Sequence, residues 1–232
     1  MRYVARLDTP GIRCAVIIGC LAAAVFTTFP RLDLAVSALF YSPDSGFLMQ
    51  DHPVGDFFDR EVNQAARLLA FSLIPLYVAG LLRKQPILGL DTRRFGVILA
   101  GMVLGTTLIV NEVLKEHWGR ARPDEVTAFG GTARFTPALV PADQCATNCS
   151  FVSGHAAFAF SFLALALGAR RHRAQWVAAV LSYAAIASAM RVMRGAHFLS
   201  DVVFAGVITV LVVLIAERLI VAGDWEKTPL SQ

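Results

Sequence analysis

Charged residues are scarce in this chain. Lys, Arg, Asp and Glu together make up 16% of its 232 residues, whereas 56% are hydrophobic. Mean hydropathy is +0.59, and soluble domains carry about 25% charged residues. This composition excludes an ordinary soluble protein and predicts insertion in a membrane. The net charge of +4 follows from the connections between apolar runs, so no nucleic-acid partner is expected.

Cysteine is also sparse, with four residues in the chain. Cys14 and Cys20 lie in an apolar run and are expected to be packing residues. Cys145 and Cys149 lie in a polar connection without a second close pair, so they do not indicate a four-ligand zinc site. If this connection faces outward, a disulfide between them is expected.

Six apolar runs approach the roughly 20 residues that a membrane-spanning helix needs. They predict an all-α, polytopic membrane protein that forms one domain over residues 1–232, with its core motifs in residues 115–201. The fourth run is short, but its neighbours can extend it. The runs cover residues 14–29, 66–82, 95–114, 155–169, 176–190 and 202–221.

Basic residues gather at alternate connections, and this bias sets the orientation of membrane proteins. We therefore expect six spans with both termini in the cytoplasm, and a first run that is a membrane helix rather than a signal peptide. The basic clusters precede the first run and follow the second and fourth: Arg2, Arg6 and Arg13; Arg83, Lys84, Arg93 and Arg94; Arg170, Arg171 and Arg173.

The connection over residues 30–65 is acidic and is expected to face outward. Its charges are Asp33, Asp44, Asp51, Asp56, Asp59 and Glu61, against Arg31 and Arg60. Its aromatic residues are typical of packing at the membrane surface, and contact with a lipid substrate is the alternative. They are Phe40, Tyr41, Phe47, Phe57 and Phe58.

Three polar clusters fall at the ends of the apolar runs. The first places Lys115, His117, Arg120 and Arg122 in an outer connection, against the positive-inside bias. This conflict favours a function, although a collar of snorkelling side chains explains one or two of the cations. Pro123 prevents a helix from continuing through the cluster.

The second cluster, Ser153, Gly154 and His155, is predicted to open the fourth helix. A helix start has free N–H groups and a positive dipole end, which together form an anion site. A simple serine N-cap is the alternative.

The third cluster lies between the last two runs. If the last helix begins near Ala196, His197 and Asp201 are an i, i+4 pair in which the carboxylate orients the imidazole. Arg191 would end the preceding helix, where its donors suit a phosphate or carboxylate. The alternative is a His–Asp pair that only caps a membrane helix. By topology all three clusters share the outer side, and together they hold the cations, donors and histidines that phosphoryl transfer needs.

At these residues the chain resembles the type 2 phosphatidic acid phosphatases (PAP2). Lys115, Arg122 and Pro123 match the first motif of the family. Ser153, Gly154 and His155 match the second motif, with Val152 in place of Pro. Arg191, His197 and Asp201 match the third motif, with Met190 in place of Ser.

The resemblance implies a role for each matched residue. His197 would attack phosphorus, Asp201 would orient it, and His155 would protonate the leaving oxygen and later activate water. Lys115, Arg122, Ser153, Gly154 and Arg191 would bind the phosphate. No metal or cofactor is implied, and no carboxylate cluster suited to Mg²⁺ lies near the motifs.

A further likeness, to bacterial inner-membrane lipid A 4′-phosphatases, rests on FPRLD at residues 29–33, FGG at 129–131 and CATNCSF at 145–151. It implies a phosphorylated lipid substrate at the periplasmic face. Phosphatidylglycerophosphate, phosphatidic acid and undecaprenyl diphosphate are alternative substrates. The rival classes are a non-catalytic membrane protein and a transporter. A non-catalytic relative is expected to lose a histidine, yet both are present. A transporter is disfavoured because the ionisable groups lie at span ends and no inverted repeat is visible.

Overall fold

The computed structural model describes residues 9–57, 60, 63–84, 86 and 91–221. Nine α-helices occur in the described part: α1 Pro10–Thr28, α2 Leu32–Ala38, α3 Pro53–Phe57, α4 Asn63–Arg83, α5 Thr92–Leu99, α6 Gly154–Ser161, α7 Leu163–Gly168, α8 Arg173–Met193 and α9 Leu199–Ala216. Helix α5 continues as the π-helix Ala100–Lys115, and α9 continues as the π-helix Glu217–Val221. Strands β1 Tyr41–Ser42 and β2 Gly46–Phe47 form a short hairpin.

The prediction of a helical membrane protein is confirmed, because each of the six apolar runs falls on a helix. By length and composition, four described helical segments can cross a membrane: Pro10–Thr28, Thr92–Lys115, Arg173–Met193 and Leu199–Val221. Phe71–Arg83 and Gly154–Gly168 are shorter apolar helices, and the latter is interrupted at Phe162 between α6 and α7. Six crossings, one domain and the orientation stay predictions.

The outer faces of α1, α4 and α8 are covered with apolar side chains. Ile17, Leu82 and Trp176 are more than half exposed. Large apolar surfaces of this kind mark a contact with a partner or a lipid. Here they belong to long apolar helices, so we interpret them as the lipid-facing surface.

Helix α9 is the centre of the bundle, and it packs against α1, α6 and the π-helix Ala100–Lys115. Small residues allow this close approach. A Cβ atom on Gly206 would lie 2.7 Å from the ring of Phe160 on α6. The buried face of α9 also includes Phe204, Ala205 and Val213, which belong to two stacked apolar clusters.

One end of the bundle collects the basic residues of alternate connections. Arg94 near the start of α5 forms an ion pair with Glu217, at the far end of α9 from the polar motifs. Arg83, Arg170 and Arg171 lie at the ends of the other helices there. Of the residues used to predict orientation, Arg2, Arg6, Asp59 and Glu61 lie outside the described residues, as does Phe58.

The structure corrects one expectation about the connection over residues 30–65, the position of Phe47. Asp33 in this connection is 1% exposed. Phe47 is also buried and packs against Tyr41 and Phe129, with ring centroids 5.2 and 5.3 Å away. This aromatic cluster, which includes Phe198, packs within the protein instead of lying on the membrane surface. Phe57 remains more than half exposed.

Candidate active site

The three polar motifs meet at one end of the bundle through backbone hydrogen bonds. The N–H of Cys149 donates to the carbonyl of Lys115, with 3.1 Å between N and O. The N–H of Ser153 donates to the carbonyl of Asp201 at 3.2 Å. The first bond joins the start of the first motif to the segment just before the second, and the second bond joins the second motif to the third, so the predicted convergence is present.

The second motif opens a helix as predicted. Ser153 is the N-cap of α6, and its Oγ accepts a hydrogen bond from the N–H of Ala156 at 3.4 Å. The alternative of a serine N-cap is therefore part of the arrangement. Gly154 allows α6 to approach the π-helix, because a Cβ atom there would lie 2.5 Å from Oδ1 of Asn111. His155 follows in the first turn.

A cavity of about 380 Å³ lies beside this helix start. Its polar end is lined by Asn111, Lys115, Gly154 and His155. Its other walls are largely apolar and come from α4, α5, the π-helix and α6, with Phe71, Ile74, Leu99, Met102, Val103 and Phe158. The cavity therefore has two motif residues, the cation Lys115 and the imidazole of His155, at one end of a largely apolar space.

His197 is fully buried in the turn that precedes α9. Helix α9 begins at Leu199 with Phe198 as its N-cap, so the expected helix start near Ala196 is wrong, although His197 and Asp201 still form an i, i+4 pair. Its Nδ1 lies 2.8 Å from the carbonyl oxygen of Ser150 and 3.8 Å from Oδ2 of Asp201. The nearest partner of the imidazole is therefore a backbone carbonyl, because the loop turns the ring toward Ser150.

This contact fixes the tautomer of His197. A carbonyl oxygen only accepts hydrogen bonds, so Nδ1 carries the hydrogen and Nε2 keeps its lone pair. Within the described part of the chain, Nε2 is buried and has no hydrogen-bond partner. The pKa of His197 is lowered to about 3, mainly by burial; Arg191 and Arg122 also lower it, and Asp201 opposes them. At neutral pH the residue is a neutral imidazole with one free nitrogen.

Arg191 lies in the last turn of α8 and is 6% exposed. Its carbonyl accepts hydrogen bonds from the N–H groups of Ala196 and His197, at 3.1 and 3.3 Å. The turn is closed by Gly195, whose φ is +72° and whose added Cβ would lie 2.3 Å from the ring of Phe47. The aromatic cluster therefore packs directly on the turn that carries His197.

Arg122 is connected to the loop that contains the two outer cysteines. Its Nη2 donates to the carbonyl of Asn148 at 2.8 Å, and the N–H of Asn148 donates to Oε1 of Glu116 at 3.2 Å. The structure joins Cys145 to Cys149 in a disulfide, with 5.6 Å between the Cα atoms. The disulfide therefore closes the short loop that holds Arg122.

We predict that reduction of this disulfide lowers activity, because the loop then holds Arg122 and the chain before Ser153 less firmly. Turnover should fall several-fold in reductant, and a Cys145→Ser, Cys149→Ser variant should show the same loss without reductant. Mass spectrometry of protein prepared without reductant checks the oxidation state. Two free thiols in fully active protein would contradict the prediction.

Four further residues of the site were given no specific role from the sequence: Asp33, Arg120, Ser150 and Ser200. Arg120 is fully buried, and its Nη1 donates to Asp201 while its Nη2 donates to Asp33 at 2.8 Å. The only sequence signals were the position of Arg120 in a charge-dense segment and of Asp33 in FPRLD. Among the described residues, no group of three or more His, Cys, Asp or Glu side chains is arranged to hold a metal ion.

Residues 96–223 match the PAP2 superfamily. The chain belongs to this family. It is 35% identical to a lipid A 4′-phosphatase of Rhizobium etli, over 77% of the chain and 75% of that protein. It is 35% identical to a lipid A 4′-phosphatase of Rhizobium leguminosarum, over 83% and 88%. A lipid A 4′-phosphatase of Francisella tularensis subsp. novicida is 33% identical, over 78% and 83%. No solved structure matches the chain.

All the motif residues of this PAP2 protein lie within the matched range, so the chain is a membrane phosphatase. Its two departures from the family motifs are at Val152 and Met190. Val152 is fully buried in the apolar core beside Phe151. Met190 lies in α8, where its carbonyl accepts the N–H of Arg194 at 3.0 Å.

Proposed function

We propose that this PAP2 protein removes the 4′-phosphate of lipid A at the periplasmic face of the bacterial inner membrane, through a phosphohistidine on His197. The choice of substrate is carried by the relatives named lipid A 4′-phosphatase, which align with the chain over most of their length. The choice of nucleophile is supported by the neutral His197, whose Nε2 has no partner among the described residues.

In the first step, the lone pair of Nε2 forms a bond to phosphorus while the bond from phosphorus to the sugar oxygen breaks. His155, as an imidazolium, gives its proton to that oxygen. Lys115, Arg122 and Arg191 offset the charge of the phosphoryl oxygens, with the Ser153 hydroxyl and the N–H of Gly154 as neutral donors. The imidazole becomes positively charged, and its Nδ1–H keeps donating a hydrogen bond to the Ser150 carbonyl.

In the second step, water attacks the phosphorus of the phosphohistidine. His155, now neutral, accepts the proton of this water, and the bond from Nε2 to phosphorus breaks. Inorganic phosphate leaves, and both histidines return to their starting protonation states. Each residue thus acts in both halves of the reaction.

The cavity beside α6 supports a lipid substrate. Its polar end contains Lys115 and His155, and its walls are mostly apolar. An acyl chain in this space would keep its contact with apolar groups, worth about 0.8 kcal/mol per CH₂, while the phosphate reaches the motif residues. The substrate would then approach sideways from the membrane.

The test of this function is phosphate release by purified protein from lipid A, phosphatidylglycerophosphate, phosphatidic acid and undecaprenyl diphosphate in mixed micelles. Lipid A should be the preferred substrate, and mass spectrometry of the product should place the loss at the 4′ position. Faster release from any other lipid would reject lipid A as the substrate. Loss at the 1 position would reject the regiochemistry alone.

We further propose that the site faces the periplasm, because the basic residues of alternate connections lie at the opposite end of the bundle from the motifs. Single cysteines at Thr127 and Arg171, which are both exposed, probe the two ends. In a background without native cysteines, a membrane-impermeant thiol reagent should label only Thr127→Cys in cells whose outer membrane is permeabilised. Labelling of Arg171→Cys alone would show that the orientation is the reverse of the one proposed.

We predict that Asn111 contributes to lipid binding, because its carboxamide lies at the polar end of the cavity beside Gly154. Asn111→Leu keeps the side-chain size but removes a hydrogen-bonding group, so KM should rise about 3- to 10-fold. Thr107→Val is the matched control, since that residue lines the same cavity but its hydroxyl bonds the carbonyl of Met102. Equal effects of both variants would refute a specific role for Asn111.

A further inference from the structure

We propose that Arg120, paired with Asp33, is a positioning residue for the nucleophile: it fixes the Asp201 carboxylate and, through Ser150, the orientation of the His197 imidazole. This inference rests on the proposed role of His197. Arg120 and Asp33 are not among the residues that match the three PAP2 motifs, and Asp33 comes from the short helix α2, 87 residues before Arg120.

The first support is the burial of a three-charge group. Arg120 and Asp201 are fully buried and Asp33 is 1% exposed. One guanidinium lies between two carboxylates, and it donates to both. It also lies 4.4 Å from the ring centroid of Phe198. Because an unpaired buried charge is strongly destabilising, each member constrains the positions of the other two.

The second support is that both carboxylate oxygens of Asp201 accept hydrogen bonds from groups other than His197. Its Oδ1 accepts from Nη1 of Arg120, and its Oδ2 accepts from the Ser150 hydroxyl and from the N–H of Phe198 at 2.8 Å. His197 is left at 3.8 Å from that oxygen. Asp201 therefore acts on the imidazole directly, by raising its pKa, and also through Ser150.

Ser150 links the charge group to the nucleophile. Its hydroxyl donates to Asp201, and its carbonyl accepts from Nδ1 of His197 at 2.8 Å. Its own N–H donates to the carbonyl of Arg120 at 2.8 Å. A displacement of Arg120 therefore moves both the hydroxyl and the carbonyl that fix the histidine.

Asp33 anchors Arg120 to the start of α9. Its Oδ1 accepts from the N–H of Ser200 at 2.9 Å, and its Oδ2 accepts from the Ser200 hydroxyl and from Arg120. Burial raises the pKa of Asp33, and the Arg120 guanidinium opposes this rise. Arg120 thus favours the ionised form of Asp33 against the effect of burial.

The expected consequence is a change in the pH profile. The charged groups that face His197 are Asp201, Arg191 and Arg122, with Arg120 behind Asp201. Without Arg120, the negative charge of Asp201 is no longer balanced, so the pKa of His197 rises. A histidine protonated at higher pH is not a nucleophile, so the acid limb of kcat/KM should move upward, by about one to three pH units.

The experiment compares Arg120→Gln and Arg120→Lys with the wild type, on whichever lipid of the substrate panel releases phosphate. Arg120→Gln should lower kcat about 100-fold with little change in KM, and it should move the acid limb upward. Arg120→Lys keeps the charge and should keep the wild-type acid limb. Asp33→Asn, which is nearly isosteric, should lower kcat without moving the acid limb upward. This variant tests the positioning role if Arg120→Gln does not fold.

Arg94→Gln is the matched control, since it removes an arginine–glutamate pair at the opposite end of the bundle. Its pH profile should equal that of the wild type. An unchanged acid limb in folded Arg120→Gln, or an unchanged kcat in Asp33→Asn, would overturn the positioning role. Full activity of His197→Gln would instead reject the proposed nucleophile, so the two failures can be told apart.

Discussion

His197→Gln is expected to lower phosphate release by at least about 10⁴-fold, because the substitution removes the nitrogen that forms the covalent bond to phosphorus. His197→Ala should have the same effect. His197 is neutral near pH 7, since its pKa is lowered to about 3, mainly by burial. The wild-type nucleophile therefore needs no base to remove a proton from Nε2. Purified protein and labelled lipid in a single-turnover assay measure the loss.

The amount of acid-labile phosphoprotein is an independent measure of phosphohistidine formation on His197. Wild type mixed with labelled lipid and quenched in base should retain label on His197, and the His197→Gln variant should retain none. Asp201→Asn should leave a small activity, because Asp201 orients the nucleophile and does not react. His172→Gln, an exposed histidine at the other end of the bundle, is the control. Wild-type turnover in His197→Gln would reject the mechanism.

The helices and the start of α6 could be predicted from the sequence because both follow from local patterns. Apolar runs near 20 residues long predict helices in a membrane. A serine followed by glycine and histidine before an apolar run predicts a helix start, and Ser153 is indeed an N-cap. Each of these features depends on residues that are neighbours in the chain.

The partner of His197 could not be predicted in this way. The histidine was expected to contact Asp201, four residues later, but its Nδ1 lies closest to the backbone carbonyl of Ser150, 47 residues earlier. Every residue has a carbonyl, so no residue type at position 150 signals this contact. The ion pair between Asp33 and Arg120 could not be predicted either, because it depends on how two distant segments pack.

The aromatic cluster shows a related limit. Phe47 was expected at the membrane surface because its segment is apolar and carries acidic neighbours. In the structure it packs on Gly195, where a Cβ atom would lie 2.3 Å from its ring. This contact depends on Gly195, a glycine 148 positions away with φ of +72°. The composition of the segment alone therefore could not predict that Phe47 is buried.

His155→Gln should affect the two halves of the reaction differently, which separates its role from that of His197. On the lipid substrate, the variant lacks the acid that protonates the leaving oxygen, so turnover should fall about 10²- to 10⁴-fold. His155 lies at the polar end of the cavity, next to Gly154 and near Lys115, and is accessible to a bound phosphate ester.

An aryl phosphate such as p-nitrophenyl phosphate has a leaving group that needs no protonation. With it, His155→Gln should form phosphohistidine at nearly the wild-type rate, because His197 is unchanged. Hydrolysis of the intermediate still needs a base to activate water, so phosphoenzyme should accumulate and a burst of nitrophenol should precede slow turnover. His197→Gln should give neither burst nor phosphoenzyme. An equal loss on lipid and aryl phosphate, without accumulated phosphohistidine, would show that His155 is not the acid and base of this reaction.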